Sequence, residues 1–161
     1  MILALAIALT AAPADGDKIG NWTVSVSKDA MTDKVDYSAH VITPDARIDF
    51  SCPVRRGVEA AIAVNTRTYL GETIAGRGTF VELDLRGDDA PADKITVRAD
   101  GSGFSATFSD VVSTFMKAMT GARRLRGRVF SYRGVPADFE FDISGFDEMR
   151  ARIEGACGVA K

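Results

Sequence analysis

Between residues 21 and 143, apolar and polar side chains alternate in a succession of short runs, most of them closed by a Gly, Pro or Asp turn signal. Alternation at a period of two gives a strand one apolar face. That face must be covered and the backbone edges must find neighbours, so a chain written this way is expected to form a sandwich or a curled antiparallel sheet. In Asn21-Trp-Thr-Val-Ser-Val-Ser27, the residues Trp22, Val24 and Val26 share the inward face. After the polar turn 28–33, Val35, Tyr37, Ala39 and Val41 do the same over 35–43. Pro44-Asp45 turns the chain, and Ala46, Ile48, Phe50 and Cys52 face inward in the next run, which Pro53 closes. Further strands are expected over 58–64, 66–70 and 79–85, with a loop marked by Gly71, Gly76 and Gly78. Residues 94–99 and 104–108 read as a hairpin around Asp100-Gly-Ser-Gly103, and 124–132 with 137–143 as two more strands around Gly134-Val-Pro136.

Two stretches late in the chain change period. Over 110–120, Val111 or Val112, Phe115 and Met119 make a helical stripe, with Ser109 or Asp110 as cap and Gly121 as stop. Over 144–157, Phe146, Met149, Ile153 and Cys157 recur at three- and four-residue spacing. Ser144 is placed to cap that helix, and Asp147 gives it a weak capping box. The fold class expected is therefore α+β, mainly an antiparallel sheet or sandwich with two helices late in the chain. A chain of 161 residues suits one domain with a real core.

The amino-terminal run Met1-Ile-Leu-Ala-Leu-Ala-Ile-Ala-Leu9 is apolar throughout, and Ala12-Pro-Ala14 offers small residues for signal-peptidase cleavage. It is shorter than the roughly 20 residues that span a bilayer. The expected organisation is a signal peptide over 1–14 and a single secreted domain over 15–161, periplasmic or secreted, with no stable membrane span after cleavage. No basic residue precedes the apolar run. In an oxidising compartment an even cysteine count reads as a disulfide. Cys52 and Cys157, both on inward faces, are expected to pair and to tie the last helix to an early strand.

Trp22, the segment Ser27-Lys-Asp-Ala-Met-Thr-Asp33, the strand ending in Cys52, Phe139-Glu-Phe-Asp-Ile-Ser-Gly145 and the helix ending Gly155-Ala-Cys157 stand in one order. That order resembles the TagO/VasI-like accessory proteins associated with type VI secretion, over nearly the whole mature chain. The resemblance implies an exported two-cysteine domain that serves a secretion apparatus, and it brings no catalytic residue with it. The sequence departs from the family in its middle strand, which reads Val81-Glu-Leu-Asp-Leu85 where the family carries an Arg-Phe-Asp-like motif followed by a tryptophan.

Candidate chemistry is sparse. His40, beside Asp36 and Ser38, is the only histidine, and no Gly-x-Ser-x-Gly turn frames a serine. One histidine and two separated cysteines do not make a zinc site. Asp84, Asp88, Asp89 and Asp93 cluster without calcium-loop spacing and read as a solvated acidic loop. The glycines at 71, 76 and 78 are not followed by the Lys-Ser or Lys-Thr of a phosphate loop. Phe104, Phe108 and Tyr132 read as core before they read as a base-stacking platform. No cofactor is expected, and a net charge of −2 gives no general pull toward nucleic acid.

The one pattern that points outward is basic. Arg124, Arg126 and Arg128 share a strand face that Phe130 and Tyr132 continue, while Leu125 and Val129 face the other way. Guanidinium groups in a row can dock bidentately on an anionic group of a partner, a protein or an anionic envelope component. The alternative for this row is a solvated face paired with the acidic loop. The function expected is that of a non-enzymatic periplasmic accessory or binding protein. The alternative is a hydrolase or inhibitor acting on cell-wall glycan or peptide.

Overall fold

The computed structural model describes residues 12–52, 61–71, 79–106 and 109–157, with the side chains at 52, 105, 106, 109 and 110 outside that description. Residues 1–11, where the signal peptide is expected, Gly76, Gly78, Phe108 and the first part of the strand expected over 58–64 lie outside the described residues. So do the side chains of the two candidate helix caps, Ser109 and Asp110.

The fold is α+β. Its strands are β1 (Lys18–Ile19), β2 (Trp22–Lys28), β3 (Val35–Ile42), β4 (Ala46–Cys52), β5 (Ala61–Thr66), β6 (Thr79–Gly87), β7 (Asp93–Asp100), β8 (Gly103–Ala106), β9 (Arg124–Phe130) and β10 (Pro136–Asp142). They form one antiparallel sheet in the order β1-β2-β3-β4-β5-β8-β7-β6-β9-β10. The first five strands run as a meander. The chain then skips two positions, lays β6, β7 and β8 back toward β5, and returns through α1 (Ser109–Met119) to set β9 beside β6. A second helix, α2 (Phe146–Cys157), follows β10.

The alternation places the side chains as expected. Trp22, Val24, Ala39, Val41, Ala46, Ile48 and Phe50 are buried on one side of β2, β3 and β4, and Val81, Leu83, Leu85, Leu125 and Val129 continue that face in β6 and β9. Both helices cover it. Phe115 and Met119 of α1 are fully buried over the half formed by β5, β6, β7 and β9. Phe146, Met149 and Ile153 of α2 are buried over β1, β3 and β4. The Phe146 ring tilts against Trp22 at 5.7 Å and meets Phe50 edge-on at 6.0 Å between centroids.

The sheet curls until its ends meet. The Asn21 N–H donates to the Ser144 carbonyl at 3.0 Å, and the Trp22 indole N–H donates to the Ile143 carbonyl at 3.2 Å. At this seam the β1–β2 turn at Gly20 lies against Gly145, both with positive φ, 58° and 88°.

Three local expectations are corrected. Residues 66–70 do not form a separate strand: Thr66 ends β5, and its hydroxyl accepts the Thr68 N–H at 3.2 Å and donates to the Thr68 carbonyl at 3.1 Å, bending the chain away. The two-residue strand β1 was not expected, being too short to show a period. Ser144 does not cap α2, because its hydroxyl and amide both donate to the Asp142 carboxylate, at 2.6 and 3.0 Å. The Asp147 carboxylate turns to the Gly121 N–H at 2.9 Å, joining the two helices' ends. Cys157 closes α2, half-buried and packed against the core. The Cys52 side chain, and with it the expected Cys52–Cys157 bridge, lies outside the described residues.

Candidate functional site

The arginine row stands where the alternation puts it. Arg124, Arg126 and Arg128 point from β9 to the outer face, and Leu125 and Val129 are buried beneath. The row's partners come mainly from β10. Its register sets Asp138 opposite Arg128, Glu140 opposite Arg126 and Asp142 opposite Arg124. Arg128 donates to both Asp138 carboxylate oxygens, at 2.6 and 2.8 Å. Arg126 donates to Glu140 at 2.7 Å, while Arg124 reaches Glu140 at only 3.9 Å. The bond from Arg128 holds the Asp138 carboxyl below the usual aspartate range, and Glu140 raises Arg126 above the usual guanidinium value.

The acidic loop plays a different part from the one expected. Asp88, at φ 44°, accepts the Arg124 N–H at 2.9 Å and the Arg123 N–H at 3.2 Å, fixing the start of β9. Asp93 pairs with Lys117 of α1 at 3.0 Å, and Asp84 with Lys94 at 3.8 Å. Of the four, Asp89 comes within ion-pair distance of a guanidinium in the row, 4.0 Å from Arg126. The sequence signal for the true partners was present in Asp138-Phe-Glu-Phe-Asp142, an acidic alternation as regular as the basic one. Neither strand taken alone shows that the two rows pair.

On the other side of β9, Asp84 stands opposite Arg128 and Arg86 opposite Arg126. Cross-strand like charges repel, and at the Arg86–Arg126 position Glu140 and Asp89 beside Arg126 offset that repulsion. Asp84, Arg86, Arg126, Arg128, Asp138 and Glu140 border an open depression of about 540 Å³. Its floor holds Gly127 with the Phe139 ring packed opposite; a Cβ on Gly127 would lie 2.0 Å from that ring.

The far end of this face is aromatic. Six large hydrophobic residues are exposed among the described residues, and four of them, Tyr69, Phe80, Tyr132 and Val135, come from this region. The Tyr69 and Tyr132 rings meet edge-on at 6.1 Å. The Tyr132 N–H donates to the Leu70 carbonyl at 3.1 Å, which holds the two segments together. Arg133 lies over the Tyr132 ring at 5.2 Å. Phe80 follows Thr79, whose side chain lies beside Gly71. The sequence placed Phe130 and Tyr132 at the end of the row, but the long separation in the chain hid Tyr69 and Phe80.

His40 belongs to another part of the sheet, half-buried on the outer side of β3. It is paired in register with Thr23 and Asp49. Burial first, and then the neighbouring Arg47, hold its pKa below the ordinary 6.5, against the raising effect of Asp49. Asp49 is engaged by Arg47 at 2.6 and 2.9 Å. Asp36, four residues along the same strand, is about 13 Å away, so the sequence neighbours of His40 do not form a relay with it. Among the described residues no cluster of His, Cys, Asp and Glu is arranged to hold a metal ion. Among them, too, no helix is long and apolar enough to cross a membrane.

Comparison of the chain with family models, with curated proteins and with solved structures finds no match.

Proposed function

We propose that the chain is an exported, non-enzymatic binding protein of the periplasm that holds a partner protein on the outer face of β6, β9 and β10. The TagO/VasI-like resemblance makes this an accessory role beside a secretion apparatus. The observation that carries the binding reading is the exposed Tyr69–Tyr132 ring pair at one end of a charged face, with Phe80 and Val135 exposed on β6 and on the β9–β10 turn. Exposed apolar side chains scattered singly need no explanation, whereas a gathered set marks a contact surface. Tyrosine and arginine together are the residue types that dominate binding energy in interfaces. The ladder beside them supplies charges of both signs, which set orientation and encounter rate more than affinity. Arg124, Arg126 and Arg128 are the cations of that ladder, and a carboxylate on the partner can share them with Asp138 and Glu140. The mixed signs favour a protein over an anionic envelope polymer, because the three β10 carboxylates would repel a uniformly anionic surface.

The test places a photo-crosslinking residue at Phe80, at Tyr132 and, as reference, at Ser25 on the outer side of β2, in cells that export the protein. One protein adduct should recur from positions 80 and 132 and be missing from 25. Its yield should fall about three- to tenfold when Arg124, Arg126 and Arg128 are changed to Glu. The same material should have an intact mass that starts near Asp15, whose carboxylate holds the Val26 N–H at 3.0 Å. Equal labelling at all three positions, or an uncleaved protein in the cytoplasm, would overturn the reading.

A further inference from the structure

The β10 edge of the sheet carries no further strand, although β3 approaches it without pairing, and its hydrogen-bonding parity can be read. Ile143 donates its N–H to the Arg123 carbonyl at 2.8 Å. In an antiparallel ladder the backbone groups of alternate residues face the same neighbour, so Ala137, Phe139 and Phe141 also face β9. The N–H and C=O groups of Asp138, Glu140 and Asp142 therefore face the edge. The Asp142 carbonyl agrees, since it accepts the Asn21 side-chain amide at 3.4 Å. The β1–β2 turn closes the edge from there on, and Pro136 has no N–H to offer at the other end. Between these two stops, the backbone groups of Asp138 and Glu140 have no partner among the described residues.

We propose that this short edge receives an extended segment of a partner protein as a further antiparallel strand, with two basic residues separated by one apolar residue. The inference rests on the reading of the chain as a protein-binding domain and names the segment it takes. An antiparallel arrival would exchange N–H and C=O groups with both Asp138 and Glu140, the main-chain contacts of strand addition. The side chains opposite these two residues would share their outer face. The last two columns are opposite in sign: β9 is basic and β10 acidic, and a further column beside β10 is complementary if it is basic. The carboxylates of Asp138 and Glu140 keep side-chain exposures of 62% and 51% beside their arginines, so each has room for a second cation. A second copy of this chain is the wrong occupant. Edge-to-edge pairing of two β10 strands would set one acidic column against another.

The probe is the blocked peptide Thr-Lys-Val-Arg-Thr added to the full mature chain, followed by amide NMR shifts and hydrogen exchange. The Asp138 and Glu140 N–H signals should shift and exchange more slowly, and the effect should weaken as salt rises. N-methylation of the peptide's Lys and Arg amides removes its two donors and should weaken binding at least about fivefold. Replacing both basic residues by Glu should abolish it. The proposal is overturned if no signal moves at millimolar peptide. It is equally overturned if the N-methylated or acidic peptide binds as well, or if the shifts centre away from β10. Crosslinking at Phe80 and Tyr132 does not depend on this edge, so the two readings can fail separately.

Discussion

At the scale of single residues, two glycines 125 positions apart in number, Gly20 and Gly145, pack backbone against backbone. A Cβ on Gly20 would stand 2.1 Å from the Ser144 carbonyl oxygen, and one on Gly145 would stand 2.8 Å from the Gly20 Cα. Both also have positive φ. Alanine at either site combines a left-handed backbone cost with a clash against backbone that cannot swing aside, together about 2 to 4 kcal/mol. Gly121 is the control. It has φ 72° but open space around it, so Gly121→Ala should cost only about 1 kcal/mol. Urea denaturation of the three variants checks the difference. His40 gives a second expectation. Its folded-state pKa lies below the unfolded value of 6.5, so the unfolded chain binds a proton more readily. Stability should therefore fall as pH drops below 6.5 and level off beneath the folded pKa. Lys18, Arg47 and Asp49 are the charged groups that face it. Replacement by Gln should flatten this part of the profile, read as denaturation midpoints at about pH 7.5 and about pH 5.5.

At the scale of elements, α2 carries the most testable expectation. It packs over β1, β3 and β4, the part of the sheet to which Cys52 belongs. A Cys52–Cys157 bridge would close a loop of roughly 100 residues, for which chain entropy gives at most about 4 to 5 kcal/mol. Peptide mapping without reductant should find the two linked, and Cys157→Ser should speed hydrogen exchange in α2 ahead of the rest of the chain. Two free thiols in protein isolated without reductant would refute the bridge. The elements themselves were largely legible, because alternation and helical stripes are local. Trp22, Val24, Phe50, Phe115 and Phe146 all fell on the face they occupy. Strand order was not legible: nothing near Thr66 says that its neighbour is β8 and not β6. Ser144 failed as a cap for a related reason, since its local pattern competed with Asp142 two residues away. The binding face was half legible. The arginine row was read from its own strand, whereas Asp138, Glu140, Tyr69 and Phe80 join it only through pairing and bending that the linear chain does not display.

For the whole molecule, the curl of one sheet replaces the second sheet that a sandwich would need. Two helices fill the concave side, each over its own half, and among the described residues the outer side is mostly polar away from the aromatic end. The order in which the halves are completed has a kinetic side. α1 covers strands that mostly precede it closely, but α2 is the last described element and covers β1, β3 and β4, the first part of the chain. Contacts between distant parts of a chain form slowly, because loop closure must come first. The amino-terminal strands thus lack a cover until α2 is available. The sole tryptophan sits at that late junction, its indole against Phe146 and bonded to Ile143. Its fluorescence on refolding therefore watches one event, the arrival of the chain's end at its beginning.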